Sequence, residues 1–409
     1  MSSRNTQRLG TAIEIKKAID SSRERLQPIG TCPEAIWEYQ AEHYGEVSKE
    51  EDGESLDCIY ELKRSLEEGF YSEFNFENLD LEIKINGQPF TLNISQEKLK
   101  ELYQDGEIAG YGDAKTLETK TDPEVRSSKE ITQIEVCPEI TSNIEQNWSK
   151  IMYPKKVKAI PYKLNLYLGE DHFEEHLDTP DKNLVGTALV SLSSGGQSSA
   201  FSISDVNRKQ KHYWGKYSPN CIMFYTDCPH RVESGNLKDV RATLAFKIYA
   251  SENQEVLDLQ RLETVMEHLE KLFNKTNTKG FILEHGYSLE TESFTGSDAL
   301  LIAALEKMGK KIQVLPIVYH FNLSVYHNDS EGGYWSSLVY PFTDKEIDFL
   351  LSDDETYTPD NFGENIEFCI LTSKYFVWKN EHQNYAEWTG NESRPEEQNS
   401  VYLSRAVIV

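Results

Sequence analysis

Between about residues 155 and 250 the chain is a succession of short β-type runs, and this limits its fold more than anything else in it. Val157–Leu168 alternates apolar and polar residues, and Val185–Leu192, Ala200–Ile203, Cys221–Tyr225 and Arg241–Tyr249 are short apolar runs of strand composition. Thr179-Pro-Asp, Ser194-Gly-Gly and Ser234-Gly-Asn separate them with turn chemistry. Many short strands with such breaks are expected to close into a jelly-roll or barrel. Such a scaffold can bring residues from distant segments to one point.

The flanks read differently. Residues 1–70 are acidic and polar, with the run Ser48-Lys-Glu-Glu-Asp-Gly-Glu-Ser, and are expected to be partly helical. Leu56, Ile59, Leu62 and Leu66 recur at helical spacing behind Ser55, which can serve as N-cap. Leu79–Leu92 alternates around Asn86-Gly87 and predicts a β-hairpin. From 255 to 409 the pattern is α/β. Val256–Phe273 is an amphipathic helix, and Ser297 caps an apolar helix to about Met308. Ile312–Phe321, Ile366–Trp378 and Tyr402–Val409 are strand-like. The expected class is α+β: an N-terminal segment over 1–70, a β core with flanking helices over 71–254, and a C-terminal α/β domain or extension over 255–409.

Composition narrows the partners. The 409 residues carry a formal net charge of −26, which repels nucleic-acid phosphates and acidic lipids and steers basic proteins or peptides inward. The 22 Tyr, 17 Phe and 6 Trp suit a β-rich interior. No apolar run is long enough to span a bilayer, and Met1-Ser-Ser-Arg-Asn-Thr-Gln-Arg lacks an apolar leader core, so the expected location is intracellular, in cytoplasm or nucleus, without secretion. The six cysteines show no CxxC pairing and are expected as free thiols.

The chemistry-bearing residues follow. His176-Leu-Asp178 closes one β-type segment, and Asp227-Cys-Pro-His230 opens another. Residues i and i+2 of an extended chain share a face, so His176 and Asp178 can address one metal while His230 arrives from a second strand. Two imidazoles and one carboxylate occupy one face of an octahedral ion, the set that suits non-heme Fe(II) binding a co-substrate and O2 together. Arg241 lies eleven residues after His230 in an otherwise apolar strand, with Thr243 on the same face. A buried guanidinium there needs an anion, and a dicarboxylate co-substrate offers one. A second constellation exists: His327-Asn-Asp329, then His382 and Arg394. His382 sits in the polar run Lys379-Asn-Glu-His-Gln-Asn, whereas His230 follows the apolar run Ile222-Met-Phe-Tyr, and this contrast favours the first set. His172 reads as a surface or supporting residue, and His212, His268, His285 and His320 as structural.

The run Tyr167-x-Gly-x3-Phe173-x2-His176-x-Asp178-Thr resembles the first metal motif of the 2-oxoglutarate/Fe(II)-dependent dioxygenases, in their prolyl 4-hydroxylase alpha-subunit-like branch and its large fungal and microbial members. Tyr162-Lys-Leu-Asn-Leu-Tyr, Val185-Gly-Thr-Ala-Leu-Val-Ser-Leu and Phe224-Tyr-Thr-Asp-Cys-Pro-His-Arg-Val are similar to the strands around it, as are Tyr111-Gly-Asp and Val125-Arg-Ser-Ser upstream. In the tail, Leu283-Glu-His-Gly-Tyr-Ser-Leu, Gly296-Ser-Asp-Ala and Thr389-Gly-Asn-Glu resemble the same proteins, so the likeness spans roughly 70–409. It implies a double-stranded β-helix with His176, Asp178 and His230 on Fe(II), and Arg241 on the distal carboxylate of 2-oxoglutarate. Collagen-type prolyl hydroxylases usually carry Lys where this chain has Arg241. Tyr167 matches a tyrosine of the co-substrate pocket, and reads equally as a core aromatic. Arg126 matches an arginine near the substrate entrance, with a surface ion pair as its plainer reading.

The implied reaction is hydroxylation of an aliphatic C–H with Fe(II), 2-oxoglutarate and O2, and it leaves room for ascorbate. Asp178 completes the ligand set, which argues for hydroxylation over halogenation. The substrate is a protein or peptide side chain in one reading and a small molecule, such as an amino acid or secondary metabolite, in the other. A non-enzymatic binding protein on the same scaffold is a third reading, and it has no use for the ligand set together with Arg241.

Overall fold

The computed structural model describes residues 58–59, 61–67, 69–112, 119–178, 181, 183–192, 200–205, 208–213, 220–235, 238–251, 258–275, 280–285, 287, 293–325, 334–341, 368–370, 382–383 and 396–409. The chain divides into two compact units. One comprises Glu68–Leu257 with Thr291–Leu300, and the other Met1–Glu67, Asp258–Glu290 and Leu301–Val409.

The first unit begins with β1 (Tyr71–Asn75), β2 (Glu82–Ile85), β3 (Gln88–Thr91), α1 (Gln96–Asp105), β4 (Glu107–Ile108), β5 (Tyr111–Gly112), β6 (Thr119–Lys120), β7 (Lys129–Ile131), β8 (Ile134–Val136) and α2 (Pro138–Ile151). Eight further strands follow: β9 (Val157–Leu168), β10 (Phe173–His176), β11 (Leu184–Ser191), β12 (Ala200–Asp205), β13 (Arg208–Tyr213), β14 (Asn220–Tyr225), β15 (His230–Val232) and β16 (Val240–Ala250). The predicted hairpin is β2–β3. Asn86 and Gly87 take φ of 51° and 76°, the left-handed pair that a two-residue hairpin turn requires.

A seven-stranded sheet runs β1-β14-β11-β16-β9-β7-β4, and a four-stranded sheet runs β10-β15-β12-β13. From β9 to β16 the chain crosses between them repeatedly: β9, β11, β14 and β16 lie in the large sheet, and β10, β12, β13 and β15 in the small one. Every strand pairing in the two sheets is antiparallel.

The two faces of the large sheet differ in chemistry. One carries Leu164, Leu166, Ala188, Val190, Met223, Leu244 and Phe246, all buried. Trp148 of α2 packs there, where its ring meets Tyr225 edge-on with centroids 5.6 Å apart and its Nε1–H donates to the Pro154 carbonyl at 2.9 Å. Pro138 starts α2, and Ile140, Ile144 and Trp148 form its buried stripe. In α1, Ser95 caps the N-terminus by accepting from the Lys98 amide, and Leu99 and Leu102 are buried. Register places Tyr167 opposite Arg241, Asn165 opposite both Thr243 and Glu130, and Ser191 opposite Thr243 on the other face. That face meets the small sheet: Phe224 of β14 packs on His230 at 4.7 Å and on Phe201 at 5.8 Å between centroids.

The second unit holds α3 (Leu259–Lys275), whose Leu262, Val265, Leu269 and Leu272 form the buried stripe, while Leu259, expected on it from the periodicity, is exposed at the first turn. Residues 58–59 and 61–66 are helical, with Leu62 and Leu66 buried. Arg261 ties the two helices by donating to the carbonyls of Ser65, Leu66 and Glu67. β17 (Gly280–Ile282) enters a six-stranded sheet. A helix α4 (Gly296–Lys307) spans the boundary between the units and starts one residue before the Ser297 expected as its cap. The remaining strands are β18 (Gln313–Val325), β19 (Tyr334–Pro341), β20 (Phe368–Ile370), β21 (His382–Gln383) and β22 (Glu396–Ile408). Their order is β19-β18-β22-β17-β20, with β21 on β22. Ser55, the turns at 179–180 and 194–196, His327, Asp329 and Arg394 lie outside the described residues.

Candidate functional site

The small sheet brings the two histidines together. β10 and β15 pair antiparallel with His176 opposite His230, so both side chains leave the same face. Their ring centroids lie 4.2 Å apart. Each ring is pinned by its own strand: His176 Nδ1 lies 2.8 Å from the Glu174 carbonyl, and His230 Nδ1 lies 3.0 Å from the Cys228 carbonyl. A carbonyl oxygen only accepts, so each Nδ1 carries a hydrogen, and an imidazole that is neutral in this arrangement keeps its lone pair on Nε2.

Asp178 enters from the end of the same segment. Its amide reaches the Thr226 carbonyl at 3.3 Å, and its Oδ2 accepts the Thr187 hydroxyl at 2.6 Å. Its Oδ1 stands 4.0 Å from His230 Nε2. His230 is buried, and Asp178 is partly so. Burial first, then the neighbouring His230, hold the His176 imidazole well below its ordinary pKa, while the Glu174 carbonyl works the other way. The ring therefore stays neutral, the state in which an imidazole binds metal.

Two imidazoles and one carboxylate are the donor types that suit a ferrous ion, and each is backed by a hydrogen bond at its other polar atom, the outer arrangement that orients metal-ligating side chains. As they stand among the described residues, no group of three or more His, Cys, Asp or Glu side chains is arranged to hold a metal ion.

Arg241 is 5% exposed on the inner face. Its guanidinium donates to the carbonyls of Glu233, Gly169 and Asp171 and lies 5.2 Å from the Tyr167 ring centroid. Burial lowers its pKa, while Tyr167 and Asp171 support the charge. Thr243 is buried one residue pair further along β16, opposite Asn165 and Ser191.

Arg126, matched to an arginine near the substrate entrance, is 4% exposed, so its ion pair is not a surface one. Its Nε–H donates to Ser128 Oγ at 2.9 Å, Nη1 to the Gly110 carbonyl at 2.6 Å and Nη2 to Asn165 Oδ1 at 2.9 Å. Glu130 lies 3.8 Å away. His172 takes a supporting position, with Nε2 at 3.0 Å from the Glu124 carbonyl.

Sequence reasoning passed over Thr187, Lys163 and Asn165. Thr187 is a lone hydroxyl in the otherwise apolar run Val185-Gly-Thr-Ala-Leu-Val, which is a signal of a buried polar contact. Lys163 is ion-paired to Glu130 at 2.8 Å, and burial first and Arg126 second lower its pKa. A charged residue in an alternating strand gives no such warning.

No family model matches the chain, and no curated protein does. Solved structures give low-scoring likenesses. A prolyl-4-hydroxylase from Pseudomonas putida aligns at 12% identity over 47% of this chain and 99% of that one, with a TM-score of 0.29. A prolyl hydroxylase from Trichoplax adhaerens, in complex with a hypoxia inducible factor oxygen degradation domain peptide, aligns at 13% over 50% and 94%, with a TM-score of 0.31. The non-heme alpha ketoglutarate dependent carbocyclase SnoK from nogalamycin biosynthesis aligns at 12% over 49% and 89%, with a TM-score of 0.27. At such scores they decide neither fold nor chemistry, which have to be read from the strands and side chains themselves.

Proposed function

We propose that the chain is an Fe(II)- and 2-oxoglutarate-dependent dioxygenase, prolyl hydroxylase-like, that hydroxylates an aliphatic C–H of a protein or peptide side chain. The eight crossing strands from β9 to β16 are its double-stranded β-helix, within an oxygenase domain over 71–254. One observation carries the reading: His176 and His230 face each other with ring centroids 4.2 Å apart, Asp178 Oδ1 lies 4.0 Å from His230 Nε2, and each of the three side chains has its other polar atom held by a hydrogen bond.

In this reading His176 Nε2, His230 Nε2 and one Asp178 oxygen hold the iron. With iron bound, 2-oxoglutarate and O2 supply the oxidising power and leave as succinate, CO2 and the hydroxyl group. The protein does the rest by binding and exclusion. Arg241, with Tyr167 beside it and Thr243 along the strand, attracts the distal carboxylate as a cation fixed by the carbonyls of Glu233, Gly169 and Asp171. Phe173, Phe201 and Phe224 keep bulk water from the imidazoles and so strengthen the electrostatics around them.

The formal net charge of −26 supports a polypeptide substrate, because an acidic surface steers basic peptide segments toward it.

The test measures succinate formed from 2-oxoglutarate as Fe(II) is added and then chelated, with a peptide library and an amino-acid panel as substrates. Succinate that depends on iron and rises with peptides is the expected result. Stimulation by free amino acids alone moves the substrate to the small-molecule class, and no iron-dependent succinate removes the oxygenase reading.

A further inference from the structure

A stack of three flat groups stands behind the first histidine. The Arg126 guanidinium carbon lies 4.5 Å from the Phe173 ring centroid. The other neighbour of that ring is His176, with centroids 3.5 Å apart and planes 22° from parallel. The arginine at the far end is fixed by three neutral acceptors from three segments: Gly110, Ser128 and Asn165 of β9. Each guanidinium nitrogen has its own acceptor, so the plane of the group is set. Gly110 is closely packed on one side, where a Cβ would fall 2.6 Å from the Thr119 methyl carbon.

The backbone repeats the brace. Arg126 forms an isolated bridge with Phe173, the Glu174 amide donates to the Val125 carbonyl at 2.9 Å, and Ser127 and His172 exchange two bonds at 3.0 and 3.1 Å. The 125–127 segment thus adds a short pairing beside β10. It is needed where it stands, because β10 is four residues long and its pairing with β15 shifts register between Phe173 and His176. At such an irregularity the bond from His176 Nδ1 to the Glu174 carbonyl fixes one ring atom, and the stack fixes the ring plane.

We propose that Arg126 is a positioning residue for His176, acting through Phe173: it holds the phenyl plane that fixes the imidazole plane, with Nδ1 on the Glu174 carbonyl and the ring facing His230. The proposal rests on the reading of His176 as a metal ligand. It makes Arg126 part of the site's frame rather than a group that meets substrate. Outer residues that orient a ligating imidazole change metal affinity by roughly 10–100-fold when removed.

The experiment uses the full chain with Arg126→Met, Phe173→Leu and Phe173→Tyr, each first checked for fold by circular dichroism. Two-bond 1H–15N spectra of the metal-free protein report the His176 tautomer, and Mn(II) titration reports affinity. The parent and Phe173→Tyr, which keep a flat ring, are expected to show one tautomer with hydrogen on Nδ1. Phe173→Leu and Arg126→Met are expected to show mixed tautomers and Mn(II) binding weaker by roughly 10–100-fold. Unchanged His176 signals in a folded Arg126→Met, or in Phe173→Leu, would overturn the proposal. If the parent chain binds no Mn(II), the metal reading falls, while the imidazole spectra still decide whether Arg126 and Phe173 set the ring. If Arg126→Met does not fold, Phe173→Leu against Phe173→Tyr decides it.

Discussion

Thr187 of β11 gives its hydroxyl hydrogen to Asp178 Oδ2 at 2.6 Å, and so ties the large sheet to the segment that carries the first two candidate ligands. The bond leaves Oδ1 for the space shared with His230. Thr187→Val keeps the shape and removes the donor. We expect Mn(II) affinity to fall about tenfold by calorimetric titration, the lower end for a supporting bond. An affinity equal to that of the parent would mean that Asp178 does not need this anchor.

The two His-x-Asp pairs make a direct contrast. His176→Ala is expected to abolish iron-dependent succinate formation, and His327→Ala to leave it intact. The reverse result in the same assay would move the centre to the second constellation.

Tyr103 connects α1 to the corner before β10, because its hydroxyl donates to Asp171 Oδ2 at 2.8 Å. Asp171 also accepts from Ser127 Oγ and the Leu168 amide. Burial first, and the bond to Asp171 second, push the phenol up to about 12 from 10.0. A raised folded-state value means the protonated phenol stabilises the fold. That contribution is whole below pH 10 and is lost as pH climbs toward about 12. Thermal melts across this range should fall more steeply for the parent than for Tyr103→Phe, and parallel curves would exclude the linkage.

Gly186 is a packing requirement. A Cβ there would collide with the Trp148 ring and come within 2.6 Å of the Phe224 carbonyl oxygen. Neither neighbour is the free end of a flexible side chain. Gly186→Ala is expected to destabilise the first unit by about 1–3 kcal/mol, as overpacking does, measured by urea denaturation. A change below about 0.5 kcal/mol, the range of an ordinary surface substitution, would show that α2 can shift without loss.

Local physics made much of the β core legible. β9, β11, β14 and β16 announce themselves because each has a buried apolar face, and the Asn86-Gly87 turn follows from backbone conformations few other residues tolerate. α1 and α2 were harder to see. Their buried stripes hold two and three side chains, and their strongest signals, Ser95 and Pro138, are single residues. β13 is the polar run Arg208-Lys-Gln-Lys-His-Tyr at a sheet edge, and nothing in its composition demands a strand.

The residue types of the candidate site belong to the chain alone: two histidines, an aspartate and an arginine, at spacings that only a folded-back β scaffold can join. Which of their atoms face one another was decided by the packed molecule. Cross-strand register set His176 against His230, a threonine from the opposite sheet holds Asp178, and packing buried Arg126. Spacing along a chain conveys which side chains share a face. Hydrogen-bond partners and burial depend on what arrives from other strands, and that exists only once the sheets have closed.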